Sequence, residues 1–195
     1  MKDKELTQEK ILEAVDSIIA NDGFERVGVN AIAQKAGVSK MLIYRYFGGL
    51  DELIAQYLLR KDYWANTDLH MIDGVDVAGS LKRMFREQIV QLRNDVTLRR
   101  LCRWELTADN ENTQQLRDSR ARNGCELIKA VSGFTHSSHT EVAALATILS
   151  AAISYLVLIE DQSPTYNGIN LQSDEGWEQI IKGLNLIIDL WIKQV

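Results

Sequence analysis

At 195 residues the chain has room for one large or two small domains and a substantial core. A single Pro, 12 Gly and 46% apolar residues exclude a disordered or collagen-like chain and favour a mostly helical globule over a β-rich one. A net charge of −5 does not by itself announce a nucleic-acid binder; with only Cys102 and Cys125 and no secretory pattern at the N-terminus, a cytoplasmic protein without a disulfide framework is expected.

Taken in order, Thr7 is the expected cap of a first helix. Ile11, Leu12, Val15, Ile18 and Ile19 follow at the spacing of a single buried face, and Asn21-Asp22-Gly23 ends it. Between Phe24 and Tyr46 the charge changes sign: Arg26, Lys35, Lys40 and Arg45 stand against Glu25, a local +3 while the remainder sums to −8. An acidic body with a basic head is steered head first onto a polyanion.

The head contains the most informative stretch. Ile32, Ala33 and Ala36 make one apolar stripe on a short helix. Gly37 then leaves helical backbone without a Cβ penalty, Val38 plugs the corner, and Ser39 is placed to cap a second helix. Two helices joined this tightly form the helix-turn-helix pattern, whose second helix enters the major groove of DNA. At about 100° per residue, Ile43 and Phe47 fall with Val38 on the core side, while Met41, Leu42, Tyr44 and Arg45 face the other way. Arg45 can fork onto a guanine, Met41 and Leu42 can touch thymine methyls, and the Tyr44 and Tyr46 hydroxyls can bond phosphates.

Residues from about Lys10 to Leu58 resemble the N-terminal DNA-binding domain of the tetracycline-repressor (TetR) family. Ala36-Gly37-Val38-Ser39-Lys40, Ile43-Tyr44 and Tyr46-Phe47 match that family's characteristic run position for position, and Phe47-Gly48-Gly49-Leu50-Asp51-Glu52-Leu53 matches the start of its fourth helix. The resemblance implies an all-α chain. Its N-terminal three-helix DNA-binding domain with helix-turn-helix would occupy residues 1–48, followed by a C-terminal helical ligand-binding and dimerisation domain over 49–195. It also implies DNA contacts from Asn30, Ser39 and Lys40. Two positions depart from the pattern: Leu42 stands where the family commonly has Thr, and Leu50 where it commonly has a phosphate-reaching Lys, which implies weaker backbone anchoring.

Gly48-Gly49 breaks the chain, and a fourth helix with Leu53, Ile54, Tyr57, Leu58 and Trp64 follows. After a polar connection at Asp73 to Asp76, further helices are predicted from about Val77 to Leu92, around Leu98 to Leu106, and from Thr113 to Val131. Ser132 to His139 reads as a loop; its His136 and His139, with Glu141 nearby, precede a helix and are expected to cap or to face solvent rather than to bind a metal. Val142 to Ile159 carries no charge and reaches the lower bound of a membrane span, but Glu141 and Glu160 flank it where basic anchors are expected. No membrane partner is expected. A helix apolar all round can instead be covered by its own domain on one side and a second copy on the other. A loop from Ser163 to Ser173 leads to a last helix with Trp177, Ile180, Ile181, Leu184, Ile187, Ile188 and Trp191 at helical spacing.

The chain contains no activated nucleophile pattern, phosphate-cradling Gly loop or metal cluster, so neither enzyme activity nor a cofactor is expected. In the resembling family the middle helices enclose a small-molecule pocket and the last two form a homodimeric four-helix bundle. On that basis Trp64, Met84, Phe85, Trp104 and Tyr155 are candidate pocket residues. Ile148, Ala152, Tyr155, Trp177, Ile181, Leu184, Ile188 and Trp191 are candidate dimer-interface residues. The expectation is a homodimeric transcriptional regulator, a repressor released from a double-stranded DNA operator by a small-molecule effector. A DNA-independent dimer of the same fold, binding a ligand or a protein, is the alternative.

Overall fold

The computed structural model describes residues 2–194. Its helices are α1 (Lys2–Asp22), α2 (Val29–Ala36), α3 (Lys40–Phe47), α4 (Leu50–Lys61), α5 (Val77–Asn94), α6 (Val96–Glu105), α7 (Glu111–Thr135), α8 (His139–Ile159) and α9 (Asp174–Ile192). Turns of 3-10 helix lie at Phe24–Arg26, Trp64–Asn66 and Leu69–Met71. Strands β1 (Thr165–Tyr166) and β2 (Ile169–Asn170) pair as an antiparallel hairpin. The chain forms two compact units, one of residues up to Asn66 with Asp95–Arg120, the other of Thr67–Asn94 with the residues from Ala121 onward.

In the first unit α1 is the spine. Ile11, Val15, Ile18 and Ile19 are buried along its inner face, and Ile32, Ala33, Ile43, Phe47, Leu53, Tyr57 and Leu58 from α2 to α4 close on it. Leu101 of α6 and Leu116 of α7 complete the same core, so the head is not a free-standing trihelical bead. Gly37 adopts φ 66°, a left-handed conformation that costs a side chain about 1–2 kcal/mol, and its N–H closes the last turn of α2.

Charged groups tie the same helices together at half-buried positions. The Tyr57 hydroxyl donates to Asp16 Oδ1 at 2.8 Å, and Lys61 Nζ spans Asp16 at 2.6 Å and Asp95 at 2.9 Å. Asp95 Oδ1 also caps α6, accepting from the Leu98 N–H at 2.9 Å. Burial and the Asp16 carboxylate hold the Tyr57 phenol well above its usual range, so it stays a donor. Burial opposes the charge on Lys61, yet its two carboxylates hold it above the ordinary lysine value. Arg120 of α7 donates from Nε to Asp62 Oδ2 at 2.7 Å and from Nη1 to Glu105 at 2.8 Å, joining the end of α4 to α6.

In the second unit α5 packs against α8 and α9. Met84, Phe85, Gln88, Ile89 and Leu92 are buried on α5, Val142, Leu149, Ile153 and Val157 on α8, and Trp177, Ile181, Leu184 and Ile188 on α9. Ser138 and Glu141 form a reciprocal capping box at the start of α8, and the Ser173 hydroxyl accepts from the Gly176 N–H at 3.1 Å to cap α9.

The structure corrects several sequence-based boundaries. Helix α1 begins well before Thr7, with Asp3 and Glu5 in its first turn, and the Thr7 hydroxyl donates back to the Asp3 carbonyl at 2.6 Å instead of capping. Trp64 lies beyond α4 in a 3-10 turn. Ser132 to Thr135 continue α7, and His139 already opens α8, leaving only a short corner where His136 takes φ 55°. The segment read as a loop before α9 contains the β1–β2 hairpin, with Asn167 at φ 48° and Gly168 at φ 83°, the signs that a type I′ turn requires. Of the candidate interface residues, Trp177, Ile181, Leu184 and Ile188 are buried in the core of their own unit, Ile148, Ala152 and Tyr155 are exposed, and Trp191 is half-buried.

Candidate nucleic-acid interface

Helix α3 is divided sharply by exposure. Ile43 and Phe47 are buried, whereas Met41 is 76% exposed and Tyr44 55%, with Ser39, Lys40 and Arg45 exposed beside them. An apolar thioether and a phenol standing in solvent next to two cations gain nothing for the fold, and they match the chemistry of base edges and phosphates. Asn30, at the start of α2, is exposed as well; Leu42 and Tyr46 are half-buried. Ser39 occupies the N-cap position, but its hydroxyl makes no capping bond. The first turn closes through the Leu42 N–H on the Ser39 carbonyl at 3.0 Å, which leaves the hydroxyl uncommitted.

The Tyr46 ring packs against the core edge, with the Arg45 guanidinium 6.0 Å and the Lys4 ammonium 5.8 Å from its centroid. Lys4 is a cation beside α3 that the sequence reading missed. The signal was present in Asp3 and Glu5, acidic residues suited to a helix start ahead of Thr7. Leu50 is half-buried and packed against the core, so α4 starts without a cation at the position where the family resemblance leads one to look for it.

The candidate pocket residues are divided between the two units, Trp64 and Trp104 in the first and Met84, Phe85 and Tyr155 in the second. Met84 and Phe85 are core of the second unit; Tyr155 is 54% exposed and meets Tyr166 edge-on, because it lies on the outward face of α8. Trp64 sits edge-on to Tyr63. Trp104 borders a cleft of about 350 Å³ in the first unit, shared with Phe24, Val27, Leu50, Asp51, Ile54 and Asn110 to Asn112. In the second unit Gln88 is buried, with one head of its amide near the Ser150 and Ser154 hydroxyls at 3.3 and 3.4 Å and the other without a partner among the described residues. Burial pushes the Cys102 thiol up to about 12 despite nearby Arg120, so it stays protonated at neutral pH. Among the described residues no three His, Cys, Asp or Glu side chains are grouped to hold a metal ion, and Glu141 is engaged in its capping box. Helix α8 is long and apolar enough by composition to cross a membrane, and in the structure it packs against α5.

Residues 11–57 match the family model described as bacterial regulatory proteins, tetR family. Over nearly its whole length the chain also shares its fold with solved structures. One is a TetR family transcription regulator from Marinobacter aquaeolei VT8, at 22% identity and a TM-score of 0.68, covering 95% of this chain and 97% of that one. A second is SmeT in its complex with triclosan, at 15% identity and 0.69, covering 93% and 90%. A third is NalD, the secondary repressor of the MexAB-OprM multidrug efflux pump in Pseudomonas aeruginosa, at 16% identity and 0.65, covering 94% and 98%. No curated protein sequence matches the chain.

Proposed function

We infer, from an N-terminal domain that belongs to the tetR family of bacterial regulatory proteins, that this protein is a cytoplasmic, homodimeric repressor that reads a near-palindromic operator and is released from it by a small molecule. The observation that carries the reading is α3 itself, buried through Ile43 and Phe47 and presenting Met41, Tyr44 and Arg45 outward. Arg45 and Met41 are assigned to base edges. Asn30, Ser39, Lys40, Tyr44 and Tyr46 are assigned mainly to the backbone, with Leu42 at the margin of the interface and Lys4 added from α1.

One helix-turn-helix reads too few base pairs for useful specificity, so a second copy is needed. Outward apolar faces that can meet it are Ile148, Ala152 and Tyr155 on α8, and Leu186, Ile187 and Leu190 on α9. A stable obligate interface of this kind buries about 2,000 Å² or more. The solved complex of SmeT with triclosan and the repressor role of NalD support a ligand-responsive reading. A hundredfold loss of operator affinity needs an effector that favours the non-binding arrangement by about 2.7 kcal/mol.

The test is fluorescence anisotropy of the protein against DNA from immediately upstream of its own gene, across salt concentrations, beside Tyr44→Ala and Arg45→Ala. Salt-sensitive binding weakened by each substitution, with about 1–3 kcal/mol lost where a base contact goes, supports the reading. Specific binding indifferent to both substitutions refutes the assignment of α3. Leu42 and Leu50 are what favour the second reading, a ligand- or protein-binding dimer that does not read DNA. Its mark is absence of specific binding to that DNA and to any genomic fragment.

A further inference from the structure

We propose that the cleft between the start of α4 and the α6–α7 connection is a binding site for hydrophobic organic cations, which identifies an effector site and class on the basis of the function proposed above. Its volume of about 350 Å³ lies at the lower end of the ~300–1,000 Å³ of small-molecule pockets, enough for a bicyclic aromatic body with a short substituent. Its walls are apolar: Val27, Leu50 and Ile54 supply aliphatic surface, and Trp104 stacks on Phe24 with centroids 3.9 Å apart and planes 24° from parallel. Aromatic faces carry negative potential, which a cation satisfies and an anion does not.

The polar groups at the rim have the same preference. Asp51 and Glu111 both border the cleft, both are exposed, and neither forms an ion pair among the described residues. Asn110 and Asn112 add amides, and Asn110 Oδ1 is already spent on the Thr113 N–H. The nearby cation Arg117 is turned away, donating to the Glu105 and Ala108 carbonyls at 3.1 and 3.2 Å, so the carboxylates keep their field for a guest. Two carboxylates and two aromatic rings around an apolar hollow select positive charge on a greasy body, such as an alkylated ammonium carrying an aromatic group. The location matters because Leu50, Asp51 and Ile54 belong to the first turns of α4, directly after the Gly48-Gly49 break that follows α3. A guest wedged there fixes the start of α4 against α6 and α7, and with it the exit of the recognition helix.

Isothermal titration of the full chain with the naphthylmethyl-trimethylammonium ion, and with naphthylacetate as the anionic comparator, tests the site without DNA. The expected result is binding of the cation, none of the anion, and a loss of roughly fivefold or more in affinity in the Asp51→Asn/Glu111→Gln double variant. Both substitutions lie on exposed side chains, and circular dichroism confirms the fold. A Trp104→Leu variant keeps the apolar volume and removes the aromatic face, and is expected to weaken the cation again. Equal binding of cation and anion, or cation binding unchanged in both variants, overturns the proposal. Operator anisotropy with and without the cation then separates the two claims: binding at the cleft with unchanged operator affinity upholds the site and refutes its effector role.

Discussion

Removing the Arg120 guanidinium should destabilise the first unit far more than an ordinary surface pair would. The group sits between Asp62 Oδ2 and Glu105 with side-chain exposures of 27%, 6% and 12%, so solvent screens the triad poorly. Burial disfavours its charge, but the two carboxylates hold its pKa above the arginine norm, and it remains a cation throughout the accessible pH range. In Arg120→Met the stem volume is kept and two buried carboxylates lose their common partner. Breaking such a pair from one side costs ~3–5 kcal/mol.

Partial compensation places the expected cost near the lower end. Arg117 Nε stays 3.6 Å from Glu105, and Asp62 Oδ1 keeps the Ala65 N–H at 2.7 Å. With an unfolding slope of about 2 kcal/mol/M in urea, a loss of about 3 kcal/mol lowers the midpoint by about 1.5 M. The assay is urea unfolding followed by far-ultraviolet circular dichroism at one fixed protein concentration, since any self-association makes the midpoint concentration-dependent. Adding Asp62→Asn to Arg120→Met removes one stranded charge and should restore about 1 kcal/mol or more. A midpoint shift under about 0.5 M, the scale of an exposed pair, together with no recovery in the double variant, would show that the triad is solvated.

The two thiols should differ in reactivity: at pH 8 Cys125, which is exposed, should react readily with a disulfide reagent in the folded protein. Cys102, raised from 9.0 to about 12, holds about a thousandfold less thiolate and should react only on unfolding. Because the folded pKa is the higher one, this thiol's contribution to stability is complete below about pH 9 and declines as pH rises towards 12, which a series of alkaline urea curves will display. Gly176→Ala should lower the melting temperature by several degrees, since a Cβ there falls on the Asn170 carbonyl and pushes the hairpin off α9; an unchanged melting point would contradict that close approach. Leu186→Glu with Leu190→Glu should yield a monomer in light scattering while the fold survives, because both side chains are outward; a persistent dimer would exclude this face of α9.

What could be read from the sequence was set by local constraints. The Ala36 to Phe47 stretch was legible because a left-handed Gly, a short connector and a 3.6-residue period act within a dozen neighbours. Helix α9 was legible as a helix but not as an oriented one. Trp177, Ile181, Leu184 and Ile188 fill one face, while Leu186, Ile187 and Leu190 fill another, and periodicity does not distinguish an apolar face turned to its own core from one turned to solvent. The hairpin was announced by Asn167-Gly168 and passed over because its strands have only two residues each. The cleft had no local signal, since residues 24–27, 50–54, 104 and 110–112 meet only after α6 and α7 have docked on the head.

The placement of Leu50 connects the weakest part of the DNA reading with the strongest part of the cleft. A basic residue at that position would project a cation from the start of α4; Leu50 instead packs against the core and forms a wall of the cleft. On the proposed reading, phosphate anchoring rests on Lys4, Lys35 and Lys40, all exposed on α1 to α3. If each neutralises one phosphate, a dimer has a slope of log affinity against log salt of about −5, at about −0.9 per contact. On that reading none of these anchoring cations lies on α4, which is held by the core of its own unit. On the two proposals together, an occupant of the cleft acts on a helix of the head that the DNA contacts do not themselves fix, which is what an effector needs in order to discriminate between bound and free arrangements.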